Sequence, residues 1–204
     1  RPRRLSASQS APPGWSTPPT SPASRDPPPV DVAGSGSADA GRPPALLEEI
    51  EHAAVRWRWR IKKRTDRLRQ VHGDFHPWNI LFREGMDFSV LDRARGEWGE
   101  PADDVTSLSI NYLFQALRST GRFEGPFADL FNLFWSEYLE RTGDRDVLET
   151  AAPFFAFRGL VIASPLWYPT LAREVREAIF LFIRRVLEDN RFDPERMSRY
   201  LGGS

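Results

Sequence analysis

Three oxygen-bearing side chains stand in a defined order within one stretch of the chain: Asp74, Asn79 and, further on, Asp92. Asp74 and Asn79 fall in the segment VHGDFHPWNILF, residues 71–82, and Asp92 ends the run VLD at 90–92. Hard oxygen donors that converge suit Mg²⁺, which keeps several waters and takes further ligands from a nucleotide's phosphates. Taken singly, each residue is ordinary: an Asp in a Gly- and Pro-containing loop forms a turn or caps a helix, and a loop Asn mimics backbone. Taken together and in this order, independent turn chemistry does not account for them. His72, Asp74 and His76 also invite a transition-metal reading. That reading needs another ligand, and the remaining histidine, His52, falls on a helical stretch.

The elements that must position these groups can be read from hydrophobic spacing. Leu46, Leu47, Ile50, Ala53, Ala54 and Trp57 recur at helical intervals after Pro43-Pro44. A short strand is expected around 68–71, then the polar loop 72–79. Residues 80–82 and 88–91 flank a turn containing Gly85 and read as a β-hairpin. A hairpin returns to its start, so Asp92 is expected back beside the loop. From Pro101 onward the pattern is helical. Val105, Leu108, Ser109, Tyr112 and Ala116 trace one face, and Phe127, Leu130, Phe131, Phe134 and Tyr138 another. Residues 147–163 and a stretch from Leu171 to Val186 complete a helical bundle.

A phosphoryl-transfer loop of the form H-R-D-x-x-x-x-N, followed by an Asp on the next metal-binding segment, has this order. His72-Gly73-Asp74, Asn79 and Asp92 reproduce it. The loop HGDFHPWN resembles the HGDxHxxN hallmark of the aminoglycoside phosphotransferase and choline kinase superfamily. GEPADDV at 99–105 is similar to that family's Gly-x-Pro-x-x-Asp stretch. The resemblance spans roughly residues 45–201 and concentrates in 71–105. It implies an α+β, mostly helical, protein-kinase-like C-terminal lobe with a catalytic loop and a small β-hairpin. It further implies that Asp74 is the catalytic residue, receiving or orienting the proton of an attacking hydroxyl. Asn79 and Asp92 would hold Mg²⁺ against ATP, His72 and His76 would brace the loop, and Asp104 would bind loop backbone amides. Asp103 is the weaker candidate for that last role. Asp92 is followed by Arg93-Ala94, where the family usually shows an aromatic and then often an acidic residue.

Composition bounds the rest. The chain has 204 residues, no cysteine and equal numbers of basic and acidic side chains, 28 each. Disulfide scaffolds, zinc ribbons and thiol nucleophiles are thereby excluded. Zero net charge argues against a chain-wide polyanion binder. Residues 1–44 hold 11 of the 18 prolines and a single aromatic residue, Trp15, and are expected to be a disordered tail before a lobe spanning 45–204. Their Arg- and Ser-rich, acid-poor make-up resembles an organelle transit peptide, but the prolines forbid its amphipathic helix. No apolar stretch reaches the roughly 20 residues a membrane span needs, and no secretory signal is evident, so a cytoplasmic location is expected.

A nucleotide lobe would add a Gly-rich loop and a strand lysine. Gly34-Ser35-Gly36-Ser37 sits among prolines, and Lys62 and Lys63 are the two lysines, close before the loop. The N-terminal lobe is therefore expected to be lost or replaced, and the chain alone to be inactive. The basic run RWRWRIKKRTDRLR, residues 56–69, is read as a helix end with tryptophans inward and arginines wet, so nucleic acid is an unfavoured partner. The aromatics Phe131, Phe134, Trp135, Tyr138, Phe154, Phe155, Phe157, Trp167 and Tyr168 suit core packing, with cation–π contact to a choline-type substrate as the alternative. An aminoglycoside would want carboxylates, for which Glu124, Asp129, Glu137 and Glu140 are on offer. The expected partners are a nucleotide and a small molecule bearing a hydroxyl. The rival reading is a non-catalytic remnant that binds a ligand or partner.

Overall fold

A computed structural model describes residues 44–85, 87–93 and 98–203. The chain divides into two units, 1–41 and 42–204, and the expected tail, with its Gly34–Ser37 stretch, lies outside the described residues. Helix α1 covers Pro44–Ile61. Two short antiparallel pairs follow. Strand β1 (Arg69–Gln70) pairs with β4 (Trp98–Gly99), and β2 (Ile80–Phe82) pairs with β3 (Phe88–Val90) in the register Ile80↔Val90, Leu81↔Ser89, Phe82↔Phe88. Then come α2 (Pro101–Thr120), α3 (Gly125–Thr142), α4 (Val147–Ala163), α5 (Arg173–Glu188) and the single turn α6 (Met197–Tyr200).

The hairpin forms where the sequence expects it. Gly85, at φ +75°, supplies the left-handed residue its turn needs. Strand β1 lies within the strand expected around 68–71, but its partner β4 was not expected, because a two-residue strand carries no periodic signal. The cause of the pairing is local: a Cβ on Gly99 would come within 2.8 Å of a Val71 methyl, so the backbones can approach this closely only at glycine. Pro101 then occupies the first turn of α2, where its missing N–H costs nothing.

The core lies among α2, α4 and α5, closed by α1 and α3. Its centre is aromatic: Trp135, Phe155, Phe182, Phe192 and Tyr200 are all at most 1% exposed. The rings of Phe155 and Phe192 lie 4.8 Å apart, and those of Phe192 and Tyr200 stack at 5.4 Å. Phe131, Trp135 and Phe155 thus pack as expected. Phe157 and Trp167 do not; they stand outside the core, 55% and 60% exposed.

The basic run also departs from expectation. Trp57 is buried and its indole N–H donates to the Leu187 carbonyl at 3.0 Å. Trp59 instead faces solvent, 62% exposed, because α1 turns that position away from α5. Arg67 is not wet at all: it is 6% exposed and forks onto Glu100 at 2.6–2.9 Å and Asp144 at 2.7–3.0 Å. Arg64 reaches Asp146 and Glu149. Among the described residues, no helix is long and apolar enough to cross a membrane.

Candidate active site

The loop 72–79 is built on glycine and on its own carbonyls. Gly73 sits at φ +83°, a backbone region that a side chain would oppose. The Asp74 carbonyl then accepts two bonds, from the His76 N–H at 3.0 Å and from the Asn79 side-chain amide at 2.9 Å. A tight turn at Pro77–Asn79 leads straight into β2. Asp74 and Asn79 are therefore held together through backbone rather than through a carboxylate–amide contact.

Asp104 lies on the first turn of α2, and its two oxygens accept the backbone N–H groups of His72 at 2.6 Å and Gly73 at 2.8 Å. These are short, charge-assisted bonds across 31 and 32 residues of sequence. Asp103 turns elsewhere, toward Arg158 at 3.0 Å. The GEPADDV stretch thus has a physical division of labour. Gly99 permits the close strand approach, Glu100 caps α2 by accepting from the Ala102 N–H, Pro101 opens the helix, and Asp104 reaches back to the loop.

His72 is 9% exposed and ties the loop to the hairpin's end. Its Nδ1 accepts the Asp74 N–H at 3.2 Å, which assigns the ring proton to Nε2, and Nε2 donates to the Leu91 carbonyl at 2.8 Å. His76 places Nε2 3.6 Å from Asp74 Oδ2. The Leu91 N–H donates to the Asn79 carbonyl at 2.8 Å, so the next residue, Asp92, leaves the ladder beside Asn79. Asp92 is exposed and adopts φ +58°, the one positive value of a non-glycine residue among those described. The Arg93 side chain instead donates from Nε to the Val71 carbonyl at 3.3 Å. No three His, Cys, Asp or Glu side chains gather as a metal cluster among the described residues.

Arg158 joins the site although no motif in the sequence announces it. It comes from α4, and its guanidinium binds Asp74 Oδ1 at 2.9 Å, the Gly73 carbonyl at 3.3 Å and Asp103 Oδ1. Its available signal was an arginine inside the most apolar helix of the chain, a position that demands a partner. The partner is 84 residues away, beyond the reach of spacing arguments.

Two cavities meet at Phe157 and Arg158. The larger, about 800 Å³, is lined by Gly73 and Asp103 but not by Asp74. The smaller, about 350 Å³, includes Asp74 itself.

A model of the phosphotransferase enzyme family matches residues 4–140, more than half of the chain. The chain belongs to the phosphotransferase enzyme family. The α+β, mostly helical architecture with small antiparallel pairs is that of a kinase-like fold, and the matched residues carry it through the loop 72–79, the hairpin, α2 and most of α3. Comparison with curated proteins and with solved structures returns no match.

Proposed function

We propose that this phosphotransferase-family chain carries the catalytic loop for ATP- and Mg²⁺-dependent phosphorylation of a hydroxyl on a small polar molecule, the chain by itself being inactive. The observation that carries the reading is the double amide grip of Asp104 on His72 and Gly73, which sets Asp74 and Asn79 in one loop at the end of the hairpin that delivers Asp92. Asp74 accepts the proton of the acceptor hydroxyl as that oxygen attacks the γ-phosphorus. The bond from γ-phosphorus to the β–γ bridging oxygen breaks, and ADP leaves with the bond's electron pair. Arg158 fixes the carboxylate's direction through Oδ1. His72, His76 and Asp104 keep the loop in shape, which is where positioning contributes to rate.

The donor set suits Mg²⁺. The Asn79 amide nitrogen is taken by the Asp74 carbonyl, which leaves Asn79's oxygen as the ligating atom. The Asp92 carboxylate makes no hydrogen bond or ion pair to any other described residue. Two oxygen ligands with phosphates and water completing the shell is the usual Mg²⁺ arrangement, and the ion would neutralise charge on the β- and γ-phosphates.

Mn²⁺ in place of Mg²⁺ tests the site without turnover. With ADP present, paramagnetic broadening is expected at the amides of Asp74, Asn79 and Asp92, and Asp92→Asn should weaken it severalfold. In protein that transfers phosphate, Asp74→Asn should lower kcat by at least about 10³-fold with the fold intact. Near-normal kcat in that variant, or broadening centred away from the loop, overturns the reading.

A further inference from the structure

The cavity at Asp74 lies against α2 and α4, and its apolar wall comes from Trp78, Phe157, Val161, Ile162, Trp167 and Tyr168. Three of these rings stay open to solvent: Trp78 is 72% exposed, and Phe157 and Trp167 are the exceptions to core packing noted above. Large rings left uncovered around one concavity mark a place where something binds.

The polar groups of the same wall restrict what that something is. Ser107 is 1% exposed, and its Oγ has no hydrogen-bond partner among the described residues. A buried hydroxyl in this state calls for one. Asn111, one turn on, spends its amide N–H on the Ser107 carbonyl at 2.8 Å, which leaves its side-chain oxygen as an acceptor. Two groups of fixed charge line the cavity, the Asp74 carboxylate and the Arg158 guanidinium 2.9 Å apart, and the His76 imidazole stands beside Asp74 at 3.6 Å. Glu124, Asp129, Glu137 and Glu140 do not line the cavity. A polycation would find no carboxylate besides Asp74 and would share the space with Arg158.

We infer that the acceptor of this site is an uncharged aromatic alcohol with a second hydroxyl. Its ring lies among Trp78, Phe157 and Trp167, one hydroxyl meets Asp74, and the other meets Ser107 and Asn111. The inference rests on the phosphotransfer reading of Asp74 given above and supplies its substrate class. Aromatic rings bury much area in few rotatable bonds, and the paired hydroxyls match uncharged polar groups without the cost of desolvating a charge.

Tyrosol (4-hydroxyphenethyl alcohol) is the probe, and tyramine, with an ammonium in place of its alcohol, is the matched cation. Choline is the ring-free cation, and phenethyl alcohol lacks the second hydroxyl. Each is titrated into the full chain and followed by the indole N–H resonances of Trp78 and Trp167, assigned by Trp→Phe replacement. Tyrosol should shift both saturably, with a Kd at least tenfold below those of tyramine and choline. Ser107→Ala should weaken tyrosol by about threefold to tenfold, the scale of one hydrogen bond, and leave phenethyl alcohol unchanged. Tyramine or choline binding as tightly as tyrosol overturns the inference, as does an unaffected Ser107→Ala or the absence of indole shifts. If tyrosol fails while Mn²⁺–ADP broadening persists at Asp74, the acceptor class alone is wrong. If tyrosol binds and the broadening is absent, the reading of Asp74 falls, and with it the assignment of an acceptor.

Discussion

Asp104 and Arg158 hold the same short loop by different chemistry. Asp104 satisfies two backbone N–H groups that a turn at Gly73 leaves pointing the same way. Arg158 satisfies a side-chain carboxylate and a carbonyl. The amide grip sets the backbone, so its loss should register in stability as well as in catalysis. Asp104→Ala leaves two partly buried N–H groups without their anion, and hydrogen bonds to charged groups contribute about 1.5–3 kcal/mol. We expect a loss of about 2–3 kcal/mol, read as a lower urea midpoint at unchanged slope. Asp104→Asn keeps one acceptor oxygen and should fall between the two. A midpoint in Asp104→Ala within error of the parent protein would mean that water serves these amides equally well. Asp74 was legible from the loop motif because its partners Asn79 and His76 are local. Arg158 was not, because nothing in its neighbourhood of the sequence announces a carboxylate across the fold.

At the scale of elements, the same contrast between local and distant information recurs. Helices α1 to α5 and the β2–β3 hairpin were legible, since each is written in the periodicity or turn chemistry of its own residues. The β1–β4 pair was not, for it depends on Gly99 meeting Val71 after the whole hairpin has intervened. Nor was the fate of Arg67, which sits in a run of charges that looks solvated. Its carboxylate partners stand 33 and 77 residues on, and together they lock the start of β1 to the cap of α2 and the α3–α4 turn. Thr150 completes the arrangement by donating to Glu100 at 3.1 Å. Removing one member of a buried pair strands the others, at a cost of about 3–5 kcal/mol. Arg67→Met should therefore destabilise on that scale in chemical denaturation; a loss under about 1 kcal/mol would place Arg67 among ordinary surface ion pairs.

The acid limb gives an independent check on the same element contact. The hydrogen bond from Arg67 holds the Asp144 carboxyl below its ordinary value. A depressed folded pKa contributes stability that is complete above the unfolded carboxylate value of about 4 and is lost as pH falls through the folded value. The parent protein should thus lose stability between neutral pH and the acid side more steeply than Arg67→Met. Parallel pH profiles would show that Asp144 is not coupled to Arg67.

For the whole molecule, the question is what the segment before α1 contributes. The family match begins at residue 4, yet the buried core among the described residues begins at Ile50 and closes through Trp57 on α5. Composition before residue 45 is poor in the side chains that build cores, with Trp15 its single aromatic residue. We propose that residues 45–204 form the folding unit and that 1–44 add nothing to its equilibrium stability. Protein beginning at residue 44 should then melt within about 4 °C of the full chain. For a domain of this size that shift corresponds to about 1–2 kcal/mol, so a larger drop would reveal a substantial contribution from the segment removed. Brief trypsin treatment supplies the second reading. Cleavage after Arg25 should precede any cut within α2 to α5, and protection of that bond in the intact protein would overturn the boundary. The two measurements fail differently: a stability loss without protection points to contacts made transiently, whereas protection without a stability loss points to a fold of its own before residue 44.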